Sequence, residues 1–148
     1  MLLVIGYGNT LRSDDGVGPQ VAEAIAGLGL EDVEALSVPQ LTPELAEPIS
    51  RASTVIFVDA ALDAPREVQL RNLAPADSSQ ILAHTTTPQT MLALARDVFG
   101  RVPLAWWLTI PIEQTGIGEI FSPLAQQGCT LGLEKIKEIA TQPAISEP

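Results

Sequence analysis

The first eighteen residues constrain the fold more than any other part of the chain. Leu2-Leu3-Val4-Ile5 is a continuous apolar run, the pattern of a parallel strand covered on both faces. Gly6-Tyr7-Gly8-Asn9 ends it, and Val17, Val21, Ile25 and Leu28 then recur at helical spacing. An Asp at the entry is predicted to cap this helix, with Pro19 in its first turn and Gly27 and Gly29 where it stops.

The rest of the chain continues the alternation. A second strand is predicted near Val33 to Val38. Thr42-Pro43-Glu44 then starts a helix that Pro48 and Ser50 keep short. Thr54 to Asp59 is another apolar strand, this one ending in a carboxylate. Glu67 to Leu73 alternates imperfectly, as a half-exposed, antiparallel edge strand would. After a loop, Thr85-Thr86-Thr87-Pro88 opens a helix to Phe99, Pro103 to Ile112 forms the last strand, and Ser122-Pro123 starts the last helix. Cys129, Leu133, Ile136 and Ala140 share one face of that helix. The order predicts an α/β sandwich with helices on both faces of a mostly parallel sheet. Residues 1–140 read as one domain and 141–148 as a frayed tail.

Composition narrows the function classes. With 46% hydrophobic and 18% charged residues among 148, a substantial core is expected. The net charge of −10 disfavours nucleic acid and anionic lipid as partners. One cysteine, Cys129, allows no intrachain disulfide. No apolar run approaches the ~20 residues that span a bilayer, and the N-terminus lacks signal-peptide character. A cytoplasmic protein is expected.

The glycine-rich turn invites comparison with a dinucleotide fingerprint, G-x-G-x-x-G. Gly6 and Gly8 match, but the third position is Leu11, and Asp14 and Asp15 flank the helix start. Two carboxylates within ~5 Å of a phosphate would cost several kcal/mol at an effective dielectric near ~20. The turn is built against phosphate.

What it is built for depends on partners. In an open α/β sheet, loops at the carboxyl ends of the strands share a crevice at the switch in strand order. Asp15 follows the first strand, Asp59 ends the third, and His84, the only histidine, precedes a helix. Two carboxylates and an imidazole form a transition-metal ligand set, and three ligands leave coordination positions open. Each residue also has a structural reading: Asp14 or Asp15 as a helix cap, Asp59 as a turn cap, His84 as a hydrogen-bonded loop residue. Cys129 reads as core, and no G-x-S-x-G elbow or second histidine supports a nucleophile triad. Trp106 and Trp107 point to opposite faces of their strand, one toward core and the other toward a groove or an ordinary sheet face. Glu113 and Glu119 follow that strand as solvated loop residues or as the border of the crevice.

Residues 6–18, G-Y-G-N-T-L-R-S-D-D-G-V-G, resemble the opening motif of the [NiFe]-hydrogenase maturation endopeptidases. Val58-Asp59-Ala60 looks like that family's strand-end aspartate, and His84 stands where the family places its histidine. Gln40 to Leu45 is similar to the branch serving bidirectional, NAD-linked hydrogenases. The resemblance covers about residues 1–140. It implies a three-layer α/β/α sandwich with a five-stranded mixed sheet and one antiparallel strand. It also implies a protease that removes the C-terminal peptide of the hydrogenase large-subunit precursor after nickel insertion. Asp15, Asp59 and His84 would contact the nickel. That nickel is carried by the substrate, so no tightly bound cofactor is expected. Val38-Pro39-Gln40-Leu41 stands where many relatives carry D-G-G-T. A monomer is expected.

Without a Ser or Cys nucleophile, water is the expected attacker. It would be activated by the substrate's nickel as a Lewis acid or by Asp15 or Asp59 as general base. Asp14 either orients Asp15 or caps the helix. The rival reading is a module that binds nickel or the precursor without cutting it.

Overall fold

The computed structural model describes residues 1–63, 65–77 and 86–142. Five strands form one sheet in the order β2-β1-β3-β5-β4. They are β1 (Leu2–Tyr7), β2 (Val33–Val38), β3 (Thr54–Ala61), β4 (Gln69–Asn72) and β5 (Leu104–Pro111). All pairings are parallel except β4 with β5. The helices are α1 (Val17–Leu28), α2 (Ala46–Arg51), α3 (Pro88–Phe99) and α4 (Pro123–Thr141).

The uninterrupted apolar runs occupy the middle of the sheet because only there are both faces covered. Leu3, Ile5, Val55 and Phe57 pack under Leu45, Ile49, Met91 and Leu92, on the side of α2 and α3. Leu2, Val4, Ile56 and Val58 pack against Val17, Val21, Ile25 and Ile136, on the side of α1 and α4. This is the expected three-layer sandwich. The weakly alternating segment is the antiparallel edge strand, shorter than predicted at Gln69–Asn72. Trp106 and Trp107 divide between the two faces as their parity requires.

Helix ends explain where the elements stop. Gly29 and Gly100 close α1 and α3 in the left-handed conformation, at φ 60° and 74°. Thr87 caps α3 in a capping box, its Oγ1 accepting from Thr90 N while Thr90 Oγ1 accepts from Thr87 N. Ser122 caps α4 through Ala125 N.

Two expectations at helix starts are corrected. No Asp caps α1: its N-cap is Gly16, preceded by a 3-10 turn at Ser13–Gly16, and both aspartates are engaged elsewhere. Thr42 makes no side-chain cap, and the helix after it is a 3-10 turn, Pro43–Leu45, that passes into α2. The tail beyond Gln142 lies outside the described residues.

The strand order reverses between β1 and β3. From β1 the chain moves outward to β2, then crosses back to β3 on the other side of β1. The carboxyl ends of β1 and β3 therefore flank the switch point, where ligand crevices form in such sheets.

Candidate active site

Gly6 pairs with Val58, so Tyr7 and Asp59 stand one step further along the same two strands. Asp59 in turn pairs with Thr109 of β5, and Phe57 with Trp107. Alternation puts Tyr7, Asp59 and Trp107 on the α2/α3 side of the sheet, at its carboxyl end.

The loop after β1 folds back over this end. Asn9 Oδ1 accepts from Leu11 N at 2.9 Å, and Asn9 N donates to Asp15 Oδ2 at 2.7 Å. The glycines make this return possible. At Gly8, with φ +151°, an added Cβ would stand 2.1 Å from the Asp15 carbonyl oxygen. One on Gly18 would stand 2.6 Å from the Tyr7 and Val58 carbonyl oxygens. The start of α1 thus rests directly on the ends of β1 and β3, a contact that only hydrogen side chains permit.

Asp14 and Asp15 diverge. Asp14 is fully buried. Its Oδ2 accepts from Glu113 N and Gln114 N, both at 3.0 Å, and from Ser122 Oγ at 2.6 Å. Its Oδ1 accepts from Ser122 N at 2.7 Å. Burial pushes the carboxyl up, but the hydrogen bonds from Ser122, Glu113 and Gln114 outweigh it and hold the group below its ordinary range. Of the two roles open to it, Asp14 does not take the helix cap. It fastens the β5–α4 loop to the turn that carries Asp15.

Asp15 is half-buried and lies close enough to Asp59 for its charge to act there. Burial is the main cause that raises the Asp59 carboxyl above its ordinary range, and the Asp15 charge raises it further. Nearby Tyr7, the Ala60 amide and Trp107 offset this in part. Tyr7 is itself pushed far up, first by burial and then by the Asp59 charge, so its hydroxyl keeps its proton. The Trp107 Nε1 is buried and completes no hydrogen bond among the described residues. Its proton nonetheless lies near enough to Tyr7 and Asp59 to favour their anionic forms.

Of the trio read from the sequence, two members, Asp15 and Asp59, are brought together. His84 lies outside the described residues. Among the described residues no group of three His, Cys, Asp or Glu side chains is placed to hold a metal ion. Tyr7 was not foreseen as a neighbour of Asp59. Its signal is parity, since Leu3, Ile5 and Tyr7 share a face.

The other candidates separate from the crevice. Cys129 packs against the α1/α4 core, where burial and then the Asp14 charge push its thiol up to about 11. Glu113 pairs with Arg66 at 3.3 Å. A hollow of ≈ 610 Å³ between Arg66, Glu113 and the first turns of α4 contains neither Asp15 nor Asp59. No helix among the described residues is long and apolar enough to cross a membrane.

This arrangement is the fold of the hydrogenase maturation proteases. The chain superposes on the [NiFe] hydrogenase maturation protease HycI of Thermococcus kodakarensis KOD1 with a TM-score of 0.74 at 22% identity, over 95% of this chain and 92% of that one. For the maturation protease HybD of Thermococcus kodakarensis the values are 0.68 and 19%, over 95% and 99%. For the maturating endopeptidase HybD of E. coli they are 0.65 and 20%, over 93% and 90%. No protein-family model and no curated protein sequence matches the chain.

Proposed function

We propose that this chain is an endopeptidase that removes the C-terminal peptide of the [NiFe]-hydrogenase large-subunit precursor after nickel insertion. The observation that carries the reading is the meeting of Asp15 and Asp59 at the switch point between β1 and β3, in a fold whose solved neighbours are maturation proteases. Asp15, Asp59 and His84 are assigned as the residues that touch the substrate's nickel, His84 by its place in the sequence. Asp15 commits one oxygen to Asn9 N and keeps the other for the substrate.

Water is the nucleophile in this reading, because Cys129, the single thiol, is held protonated on the other side of the sheet. A carboxylate is a stronger base when burial raises its affinity for a proton, and Asp59 meets that condition. The alternative, in which the substrate's nickel activates the water, uses the same residues. The similarity of Gln40 to Leu45 supports the branch that serves NAD-linked hydrogenases, and a cytoplasmic location accords with that partner.

The test is one gel separating precursor from mature subunit. Purified protein is expected to shorten nickel-loaded precursor and to leave nickel-free precursor intact. Asp15→Ala and His84→Ala are expected to abolish the shortening while remaining folded. Full processing by either variant would remove that residue from the mechanism. Binding without any cleavage by the wild type would favour the non-catalytic module.

A further inference from the structure

The two most exposed large apolar side chains among the described residues are Ile117, at 97%, and Ile120, at 79%. Both lie on the β5–α4 loop, beside the loop that carries Asp15 and the exposed Leu11. A single exposed apolar residue is ordinary, but several on joined loops at the edge of a crevice mark a contact surface. These loops are not slack. Gly118 N donates to Leu11 O at 2.9 Å, Ser13 N to Gly118 O at 2.8 Å, and Ser13 Oγ to Gly116 O at 2.8 Å. Asp14 holds both ends of the longer loop. Fixed loops that keep isoleucines in water lose little further freedom when a partner covers them.

A groove runs beside this rim. Thr10, Gly16, Gln20, Glu23, Glu119 and Phe121 line a hollow of ≈ 320 Å³. A second hollow, ≈ 280 Å³, adjoins it, sharing Thr10 and Glu23 and continuing past Leu11. No Lys or Arg lines either hollow, and neither Glu23 nor Glu119 forms an ion pair among the described residues. Arg12, the basic residue of the neighbouring loop, is turned to the Thr115 carbonyl at 3.2 Å. An apolar wall at Phe121 with carboxylates at the rim suits a Lys or Arg side chain, whose stem is apolar and whose head is cationic.

We infer that the rim of Leu11, Ile117 and Ile120 and the Glu23–Glu119 groove form the docking surface for the precursor. The segment it receives carries an apolar side chain next to a Lys or Arg. The inference rests on reading the chain as the precursor's protease, and it adds a recognition element separate from the residues that meet the nickel. The complementarity of sign follows from 18 acidic against 8 basic residues in the chain and from two groove carboxylates, Glu23 held by Ser37 Oγ at 3.3 Å and Glu119, that have no cationic partner among the described residues.

The experiment measures cleavage of purified nickel-loaded precursor by the wild type and three double variants, with direct binding of the same precursor alongside. I117S/I120S and E23Q/E119Q are expected to raise KM about tenfold, with a smaller change in kcat and unchanged melting temperature. V98S/V102S, which alters exposed valines near the opposite end of the sheet, is expected to keep the wild-type KM. Unchanged KM and affinity in both docking variants would overturn the docking surface while leaving the protease reading intact. Precursor bound but not cut by the wild type would overturn the protease reading, and loss of that binding in the two variants would still support the surface. A wild type that neither binds nor cuts the precursor would overturn both.

Discussion

Asp14 and Ser122, 108 positions apart in the chain, are joined by two hydrogen bonds, from Ser122 N at 2.7 Å and from Ser122 Oγ at 2.6 Å. The same Ser122 Oγ accepts from Ala125 N and so caps α4. One buried carboxylate therefore sets the turn before α1, the loop after β5 and the start of the last helix. Asp14→Ala would leave these donors unpaired in the interior. It is expected to cost about 3 kcal/mol, seen as a urea midpoint shift and a melting temperature lower by roughly 10 °C.

The same carboxylate gives a pH signature. Its folded pKa lies below the unfolded value of 3.8, so its contribution is complete above that value and is lost as pH falls through the lower folded one. The difference in stability between wild type and Asp14→Asn is expected to be constant near neutrality and to shrink below pH 3.8. A difference that grows on acidification, in melting curves taken across that range, would contradict the assignment.

Asp59 has the opposite sign. Its folded pKa is raised above the unfolded 3.8, chiefly by burial, so stability falls as pH rises from the unfolded value and the cost is complete above the folded one. Asp59→Asn is expected to melt higher than the wild type at neutral pH while losing cleavage, the trade expected of a functional residue. Tyr7→Phe, which removes a neighbouring hydroxyl, is expected to lower kcat by roughly 10- to 100-fold with melting nearly unchanged.

Gly18 and Gly27 lie on the same helix and are expected to respond oppositely to alanine. At Gly18 the new Cβ would meet two backbone carbonyl oxygens at 2.6 Å, neither of which can turn aside. A loss of about 3 kcal/mol or more is expected. At Gly27 nothing beyond its chain neighbours and the nearby backbone of its own helix lies within 4 Å of such a Cβ, and a gain of roughly 0.5–1 kcal/mol in helix propensity is expected. Denaturant titration of both variants checks the contrast.

Cys129 is expected to resist alkylation by iodoacetamide at pH 7.5, since its thiol is pushed up to about 11. Cys129→Ala is expected to retain cleavage. Rapid labelling of the native protein, or loss of cleavage in a folded variant, would reopen the thiol as a nucleophile.

The layers of this fold were legible in the residues because local chemistry dictates them. Continuous apolar runs at Leu2–Ile5 and Thr54–Val58 are stable only between two covered faces. The weak alternation around Gln69–Asn72 fits only an edge. Asp15 and Asp59 were legible as a pair for a related reason: residues just past parallel strands must emerge at one end of the sheet. The nearest hydrogen bonds were not. Adjacent in sequence, Asp14 and Asp15 look alike, and either is chemically fit to cap a helix or face a ligand.

The tertiary structure decided between them. Asp14 meets Glu113, Gln114 and Ser122, partners from the far end of the chain that no local pattern announces, and burial makes leaving them unpaired costly. Tyr7 and Trp107 came to Asp59 in the same way, through strand register rather than proximity in sequence. Apolar pattern and chain direction are enough to dictate which segments become strands and helices and which end of the sheet carries the acids. Which acid turns inward, and which side chains surround the other, follows from contacts between residues some 50 to 100 positions apart, and only the folded chain contains them.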